Sequence, residues 1–351
     1  MYKQKMLEKV KELKTKKELL ILGIETSCDE TSISVVKDGR EVLSNIVSSQ
    51  IDIHARYGGV VPEVASRNHT MAIVNVLEES LKVAKVTLAD IDAIAVTYGA
   101  GLVGALMVGV NFAKGLAYSN NLPLIAVNHI KGHIAASYIA FKELEPEFIC
   151  LIVSGGHTAI LRVNSYIKHT LIGSTLDDAV GEAYDKVARI LGLGYPGGPK
   201  IDKLAKEGKP NIQFTNRDKL AKTFNFSYSG LKTAVINYVH TLKQRGEELP
   251  VEDICASFQV AAIDILVEKA IKAAKKQKLN KIVLAGGVAA NSYLREQIDK
   301  RCKEENLKAY YPERSMCTDN AAMIASQGYY NLINEEGVAD LSLTPKPSLP
   351  L

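Results

Sequence analysis

His129 and His133, in the run His129-Ile130-Lys131-Gly132-His133, stand four residues apart. On a helix, two imidazoles so spaced share one face about 6 Å apart, close enough to grip one metal ion. Two unrelated histidines at a helix start have the same spacing. Position favours the metal: His129 ends the apolar run LPLIAVNH, at the end of a strand where α/β proteins hold their ligands, and little else in the chain competes as a ligand cluster. A zinc-protease helix shares this spacing but needs Glu directly after the first His as general base; Ile130 stands there and argues against that class. Asp319, in Cys317-Thr318-Asp319-Asn320, begins another helix and is the candidate third, oxygen ligand, although spacing alone does not join residues so far apart.

A second set of residues suits an anion. Ser154-Gly155-Gly156-His157-Thr158 joins two strands, and successive amides of a Gly-Gly turn can cradle a phosphate. A plain hairpin turn reads the same way. Gly286-Gly287, between a strand and a helix with Asn291 one turn on, suits a nucleotide at a helix N-terminus. Neither the G-x-G-x-x-G register nor G-x-x-x-x-G-K-[ST] is present, so NAD and P-loop chemistry are not indicated. Cys28-Asp29-Glu30-Thr31 packs two carboxylates into a strand-to-strand turn, either solvated or an acidic pair for proton transfer or for binding a metal or an amine. Asp177 and Asp178 precede a helix on which 178, 182 and 185 fall on one side; Asp178 is expected as its N-cap, with Asp185 pointing into the cleft.

The elements that must position these residues come in two similar series. The first runs LLILGIET, a polar turn and the hairpin strands of ISVVKDGREVLSNIVSS; then a helix (69–84), a strand (91–99), a Gly-rich turn, an apolar helix (101–118) and a strand (122–129). The second runs FICLIVSGGHTAILRV, HTLIGS, a helix (178–191), then KIVLAGGVAANSYLREQIDKRC, LKAYYP and a last helix (319–333). Each is a strand meander, a helix, then strand–Gly turn–helix–strand, a duplicated α/β layout. The second is longer by a segment around residues 192–260 that includes GLGYPGGP and FNFSYSG and reads as ligand-facing loops. The expected division is a basic extension (1–20), an N-terminal lobe (21–130), a C-terminal lobe (131–330) and a tail (331–351), with a nucleotide in the cleft between the lobes.

Composition bounds the class. The 351 residues are 47% hydrophobic and 23% charged, enough for two cored domains and unlike a disordered chain. No uninterrupted apolar run reaches the ~18–20 residues a bilayer crossing needs, and the first residues lack a signal peptide's apolar core. Five scattered cysteines, never Cys-x-x-Cys, suit a reducing cytosol, and a soluble cytoplasmic protein is expected. Residues 1–20 carry seven Lys and three Glu, the whole of the chain's net charge of +4, so the main body is neutral. Met6, Val10 and Leu13 recur there at helical spacing; a solvated, frayed helix is expected, with contact to phosphate or a membrane surface as the alternative.

In order along residues 21–330 stand GIETSCDETS, YGGVVPEVASRNH, GAGLVGALMVG, NHIKGH, LIVSGGHT, GEAYDKVAR, GYPGGP, FSYSGLKT, AGGVAAN and CTDNAAMIA. Together they make the chain resemble the bacterial tRNA N6-adenosine threonylcarbamoyltransferase family, once called O-sialoglycoprotein endopeptidases. The resemblance implies an α/β, duplicated actin-like or sugar-kinase-like ATPase fold, two lobes around a nucleotide cleft. It implies transfer of the threonylcarbamoyl group of threonylcarbamoyl-AMP to N6 of adenosine 37 in tRNAs reading codons that begin with A, releasing AMP. By motif, it assigns His129, His133 and Asp319 to one iron or zinc, Fe(II) or Zn(II), per subunit. It assigns Ile152, Val153, Ser154, Gly155, Gly156, Asp185, Gly198, Asp202 and Asn291 to the adenylate, and Asp29 and Glu30 to activity. No assigned position departs from the family pattern; residues 1–20 lie outside it. The implied partners are tRNA, an inactive paralogous subunit on the N-terminal lobe, a small ATPase and a synthase supplying the donor, with no membrane. The apolar helix 101–118 is the candidate docking face, with a buried core helix as the alternative. An ATP-dependent small-molecule kinase or an ATP-binding scaffold would share the fold, but neither requires the paired histidines.

Overall fold

The computed structural model describes residues 2–214 and 220–349. Its ten strands are β1 (Leu20–Glu25), β2 (Glu30–Lys37), β3 (Glu41–Ser49), β4 (Ala93–Gly99), β5 (Leu124–Asn128), β6 (Phe148–Val153), β7 (Thr158–Val163), β8 (His169–Ser174), β9 (Lys281–Ala285) and β10 (Lys308–Tyr310). They form two sheets, ordered β3-β2-β1-β4-β5 and β10-β9-β6-β7-β8. In each, an antiparallel meander supplies three strands and two more join in parallel, β4 on β1 and β9 on β6. The duplication expected from the sequence is therefore present strand for strand.

The chain divides into two compact units: Met1–Pro146 with Ser165–Lys168 and Thr318–Leu351, and Glu147–Asn164 with His169–Cys317. The expected lobe boundaries near residues 130 and 330 do not coincide with this division. The cause is the helix Ala321–Ile333, which packs on the first sheet. A Cβ on Gly23 of β1 would come within 2.3 Å of the Ala321 carbonyl oxygen, so glycine there lets helix and strand meet at backbone distance. The other face of the sheet, with Leu22, Ile24, Ile94 and Val96, is buried under Ile73, Val76, Leu77 and Val110 from the helices Pro62–Ala84 and Val103–Ser119. Covered on both sides, β1 reads as a nearly continuous buried run.

Both ends of the chain belong to the first unit. The expected frayed lead is the helix Tyr2–Leu13, with Met6 and Val10 wholly buried and Leu13 nearly so. Burial of that stripe, at roughly 1.5–3 kcal/mol per large apolar side chain, outweighs fraying. The Tyr2 hydroxyl donates to the Leu122 carbonyl at 2.5 Å, and Lys16 reaches both Asp92 carboxylate oxygens at 2.6 and 2.7 Å. At the other end, Val338 bridges to Ile125 of β5, Lys346 N donates to the Tyr98 carbonyl at 2.7 Å, and Gly101 N donates to that of Pro347 at 3.1 Å.

In the second unit the expected loops around residues 192–260 hold regular structure instead: the helices Gly197–Leu204 and Ser229–Gln244, and the start of Val251–Gln277. Leu231, Val235, Val239, Ile254 and Phe258 are buried in that unit's core. Residues 215–219 of the expected loop lie outside the described residues. Among the described residues no helix is long and apolar enough to cross a membrane.

Candidate active site

In the first unit the Asn128 side chain caps a helix immediately beyond β5, accepting from the backbone N–H of Ile130 at 2.8 Å and of Lys131 at 3.2 Å. His129 is thereby the first residue of His129–Ala140 and His133 lies one turn on, their ring centroids 4.7 Å apart and nearly perpendicular. Asp319 precedes the helix Ala321–Ile333, whose N-cap Asn320 accepts from Met323 N at 3.2 Å. Asp319 Oδ1 lies 3.1 Å from His133 Nε2 and 3.5 Å from His129 Nε2. One ligand atom from each of the three side chains lies within 4.8 Å of the others. His133 is buried, and neither ring nitrogen has an aligned hydrogen-bond partner among the described residues. Two imidazoles and a carboxylate converging around such a ring fit a zinc or iron(II) ion.

Behind His129 lie residues that sequence reasoning missed. Glu25, at the end of β1, has no solvent exposure. Its Oε1 accepts from Ser27 N at 2.5 Å; its Oε2 accepts from the Thr97 hydroxyl at 2.6 Å and lies 3.2 Å from His129 Nδ1. The Ser27 hydroxyl is also 3.2 Å from that nitrogen. Burial alone would raise the Glu25 carboxyl, but the His129 imidazole and the Ser27 donor hold it below the usual range. Burial likewise works against charge on His129, yet the Asp319 and Glu25 carboxylates outweigh it and push the ring up to about 9. A charged residue closing an apolar strand was the one sequence signal for Glu25.

Asp29 and Glu30 sit where β1 turns into β2, with Glu30 beginning the strand. Burial, then Asp29 and Asp319, push the Glu30 carboxyl up to about 10, while Ser49 donates to its Oε1 at 3.1 Å. His69, also unforeseen, holds both ends of this turn: Nε2 lies 2.9 Å from the Cys28 carbonyl and Nδ1 lies 2.8 Å from the Thr31 hydroxyl. The tautomer with hydrogen on Nε2 donates to the carbonyl and accepts from the hydroxyl.

The second unit carries the candidate anion turn. Ile152 and Val153 are core residues of β6. Ser154 N then donates to the His157 carbonyl at 2.8 Å, and His157 N donates to Ser154 Oγ at 3.1 Å, closing the turn over Gly155 and Gly156. A Cβ on Gly286, whose φ is +94°, would lie 2.5 Å from the Val153 carbonyl oxygen, so the β9 turn comes against β6 at backbone distance. The side chains of Asp185, Asp202 and Asn291 hold local backbone. Asp185 Oδ1 accepts from Gly197 N at 2.8 Å, beside Gly198. Asp202 accepts from Ser292 N at 3.1 Å and Ser292 Oγ at 2.8 Å. Asn291 caps the helix Ser292–Glu304 through Leu294 N at 2.9 Å. Asp178 is not the expected N-cap of Val180–Ile190, a position occupied by Ala179. Its carboxylate lies 2.5 Å from Lys232 Nζ instead, because that lysine offers a full charge where the cap offers an amide dipole. Asp177 gathers the start of Ser229–Gln244, accepting from the Ser227 and Ser229 hydroxyls and the Tyr228 and Ser229 amides. Against partial burial, those donors hold its carboxyl at about 2.

These features can be set beside known proteins. Full-length HypF, solved in a phosphate- and nucleotide-bound form, aligns with 91% of this chain and 47% of its own at a TM-score of 0.61 and 16% identity. The Acidaminococcus fermentans (R)-2-hydroxyglutaryl-CoA dehydratase component A covers 90% of this chain and 99% of its own, at 0.54 and 14%. The fold is thus the actin-like ATPase fold. The family model described as tRNA N6-adenosine threonylcarbamoyltransferase (TsaD) matches residues 41–326. Relatives of that name from Clostridium perfringens and Caldicellulosiruptor saccharolyticus are 57% and 55% identical, over 95% and 90% of this chain and 98% and 94% of their own. The chain belongs to the tRNA N6-adenosine threonylcarbamoyltransferase family.

Proposed function

We propose that this protein transfers the threonylcarbamoyl group of threonylcarbamoyl-AMP to N6 of adenosine 37 in tRNAs reading codons that begin with A, releasing AMP. The observation that carries the site assignment is the convergence of His129, His133 and Asp319, with ligand atoms within 4.8 Å of one another, in a chain of this family. These three residues hold one Fe(II) or Zn(II), which when bound supplies an anchor and a Lewis acid for the acyl donor.

The exocyclic amine of adenine is a poor nucleophile because its lone pair is delocalised into the ring. A carbamic–phosphoric mixed anhydride offsets this with an activated carbonyl carbon and a good leaving group. As the N6–C bond forms and the C–O bond to the AMP phosphate breaks, the amine proton passes to a carboxylate oxygen of Asp29, while Glu30, whose carboxyl is pushed up to about 10, stays protonated beside it. The backbone amides of Gly155 and Gly156 steady the phosphate that departs with the electron pair. Ile152, Val153 and Ser154 set that turn through the backbone of β6, and Asp185, Gly198, Asp202 and Asn291 shape the seat for the adenylate.

tRNA is a large polyanion, and the neutral main body favours a multi-subunit enzyme. Its partners are an inactive paralogous subunit on the N-terminal unit, a small ATPase, and a synthase that makes the donor. The helix Val103–Ser119 suits the first of these. Its Leu106, Val110 and Ala113 are core, while Val103 and Met107 remain 53% and 48% exposed, and Met71 of the helix Pro62–Ala84 is 77% exposed. Both readings of this helix thus have a face to support them.

The test is to incubate the protein and these partners with threonylcarbamoyl-AMP and unmodified tRNA, then analyse digested nucleosides by mass spectrometry. Threonylcarbamoyladenosine is expected among the nucleosides. Absence of product with all partners present would overturn the reading.

A further inference from the structure

We propose that Glu25 is a positioning residue for the metal site, holding the His129 ring with its hydrogen on Nδ1 so that Nε2 is left as the ligand atom. This rests on the metal reading of His129, His133 and Asp319. Glu25 is placed where apolar packing would favour another residue: it ends a strand buried along its length and touches no solvent. A carboxylate in such a place is costly unless hydrogen bonds satisfy it. Its partners are all accounted for, with Ser27 N on Oε1 and the Thr97 hydroxyl and His129 Nδ1 on Oε2.

An ionised carboxylate only accepts, so the 3.2 Å approach of His129 Nδ1 to Oε2 is attractive only when that nitrogen bears the hydrogen. The neutral ring then has its lone pair on Nε2, the nitrogen facing Asp319 Oδ1. β1 and β4 run parallel with Ile24 beside Val96, which brings Glu25 and Thr97 together at the ends of paired strands, and the sheet itself holds the carboxylate in place. His133 differs, since neither of its ring nitrogens has an aligned partner among the described residues. The two imidazoles are therefore unequal, one with its second nitrogen held by a carboxylate and one without such a partner among the described residues.

Glu25→Gln tests this. A glutamine whose carbonyl takes the Ser27 amide turns its NH2 group toward His129 Nδ1, which must then accept, and the ring hydrogen moves to Nε2. Ring-nitrogen NMR, recorded above the imidazole's titration, is expected to show hydrogen on Nδ1 in the wild type and on Nε2 in the variant. Zinc affinity, measured by competition with a chromophoric chelator, is expected to fall 10–100-fold, as for other partners of metal-bound histidine. Thr97→Val leaves the Nδ1–H as the donor remaining on Oε2 and is expected to keep the hydrogen on Nδ1; if Glu25→Gln does not fold, the wild-type tautomer carries the test, and hydrogen on Nε2 there overturns the proposal. An unchanged tautomer or unchanged zinc affinity in a folded Glu25→Gln protein overturns the proposal. A wild type that binds neither zinc nor iron(II) overturns the metal reading instead. The tautomer then decides Glu25 alone: a moved hydrogen supports its orienting role, and an unmoved one removes it.

Discussion

Asp177 makes four hydrogen bonds to three consecutive residues, and its titration is a measurable consequence. An aspartate in an unfolded chain titrates near about 3.9, and here the folded carboxyl is held at about 2. A depressed folded value means the stabilisation is present above the unfolded value and is lost as pH falls through the folded one. Asp177→Asn should lower the melting temperature at neutral pH, and its deficit against wild type should close between about pH 4 and pH 2. A deficit constant across that window would mean that the carboxylate's charge is not what gathers Ser227–Ser229. At the proposed metal site, His133→Ala should leave the fold intact while bound metal and threonylcarbamoyl transfer are lost together; transfer by a metal-free variant would remove the metal from the reaction. His129 and His133 were readable from their spacing at a strand end, and Asp319 from the motif CTDNAAMIA of the family. Glu25, Ser27, Thr97 and His69 were not, because each acts through a contact between segments distant in sequence. Glu25 needs the β1–β4 pairing and His69 needs a helix laid against the Cys28–Thr31 turn.

Among the elements, strands were the most legible, since apolar runs broken by Lys-Asp-Gly and Gly-Gly leave few other readings. The helices around residues 192–260 were overlooked because their Gly, Pro and aromatic clusters resemble loops. Much of Val251–Gln277 is buried on several faces, with Ile254, Phe258, Ala262, Ile263, Leu266 and Ala270 spread around the helix, and this weakens any one-sided period. The start of Pro62–Ala84 came earlier than expected, where Pro62 supplies the preset φ of a first helical turn. The contact of Gly23 with the Ala321 carbonyl belongs to this scale as well, because it joins a strand to the helix that follows Asp319. Gly23→Ala should push the two apart at a cost of about 1–3 kcal/mol, read as a lower urea midpoint. An unchanged midpoint would show that the sheet and helix can separate freely there.

For the whole molecule, the duplicated order was legible, whereas the assignment of the chain ends was not. Composition cast residues 1–20 as a charged appendage, but Met6, Val10 and Leu13 fall on one helix face, and the structure buries them. Met6→Ala should therefore cost about 2–5 kcal/mol, as for any core methionine, and lower the unfolding midpoint. A cost near zero would make the helix an ornament after all. The closing segment has a different consequence, one of timing during synthesis. Residues 147–164 and 169–317 form the second unit, whereas the first needs residues 318–349 to bring Asp319 to the histidines and to lay Val338 along β5. A ribosome moving from the N-terminus releases every part of the second unit before the first is whole. The half of the protein that is made first must wait, with β5 lacking its bridge to Val338, and His129 and His133 meet Asp319 only after the whole second unit has been made.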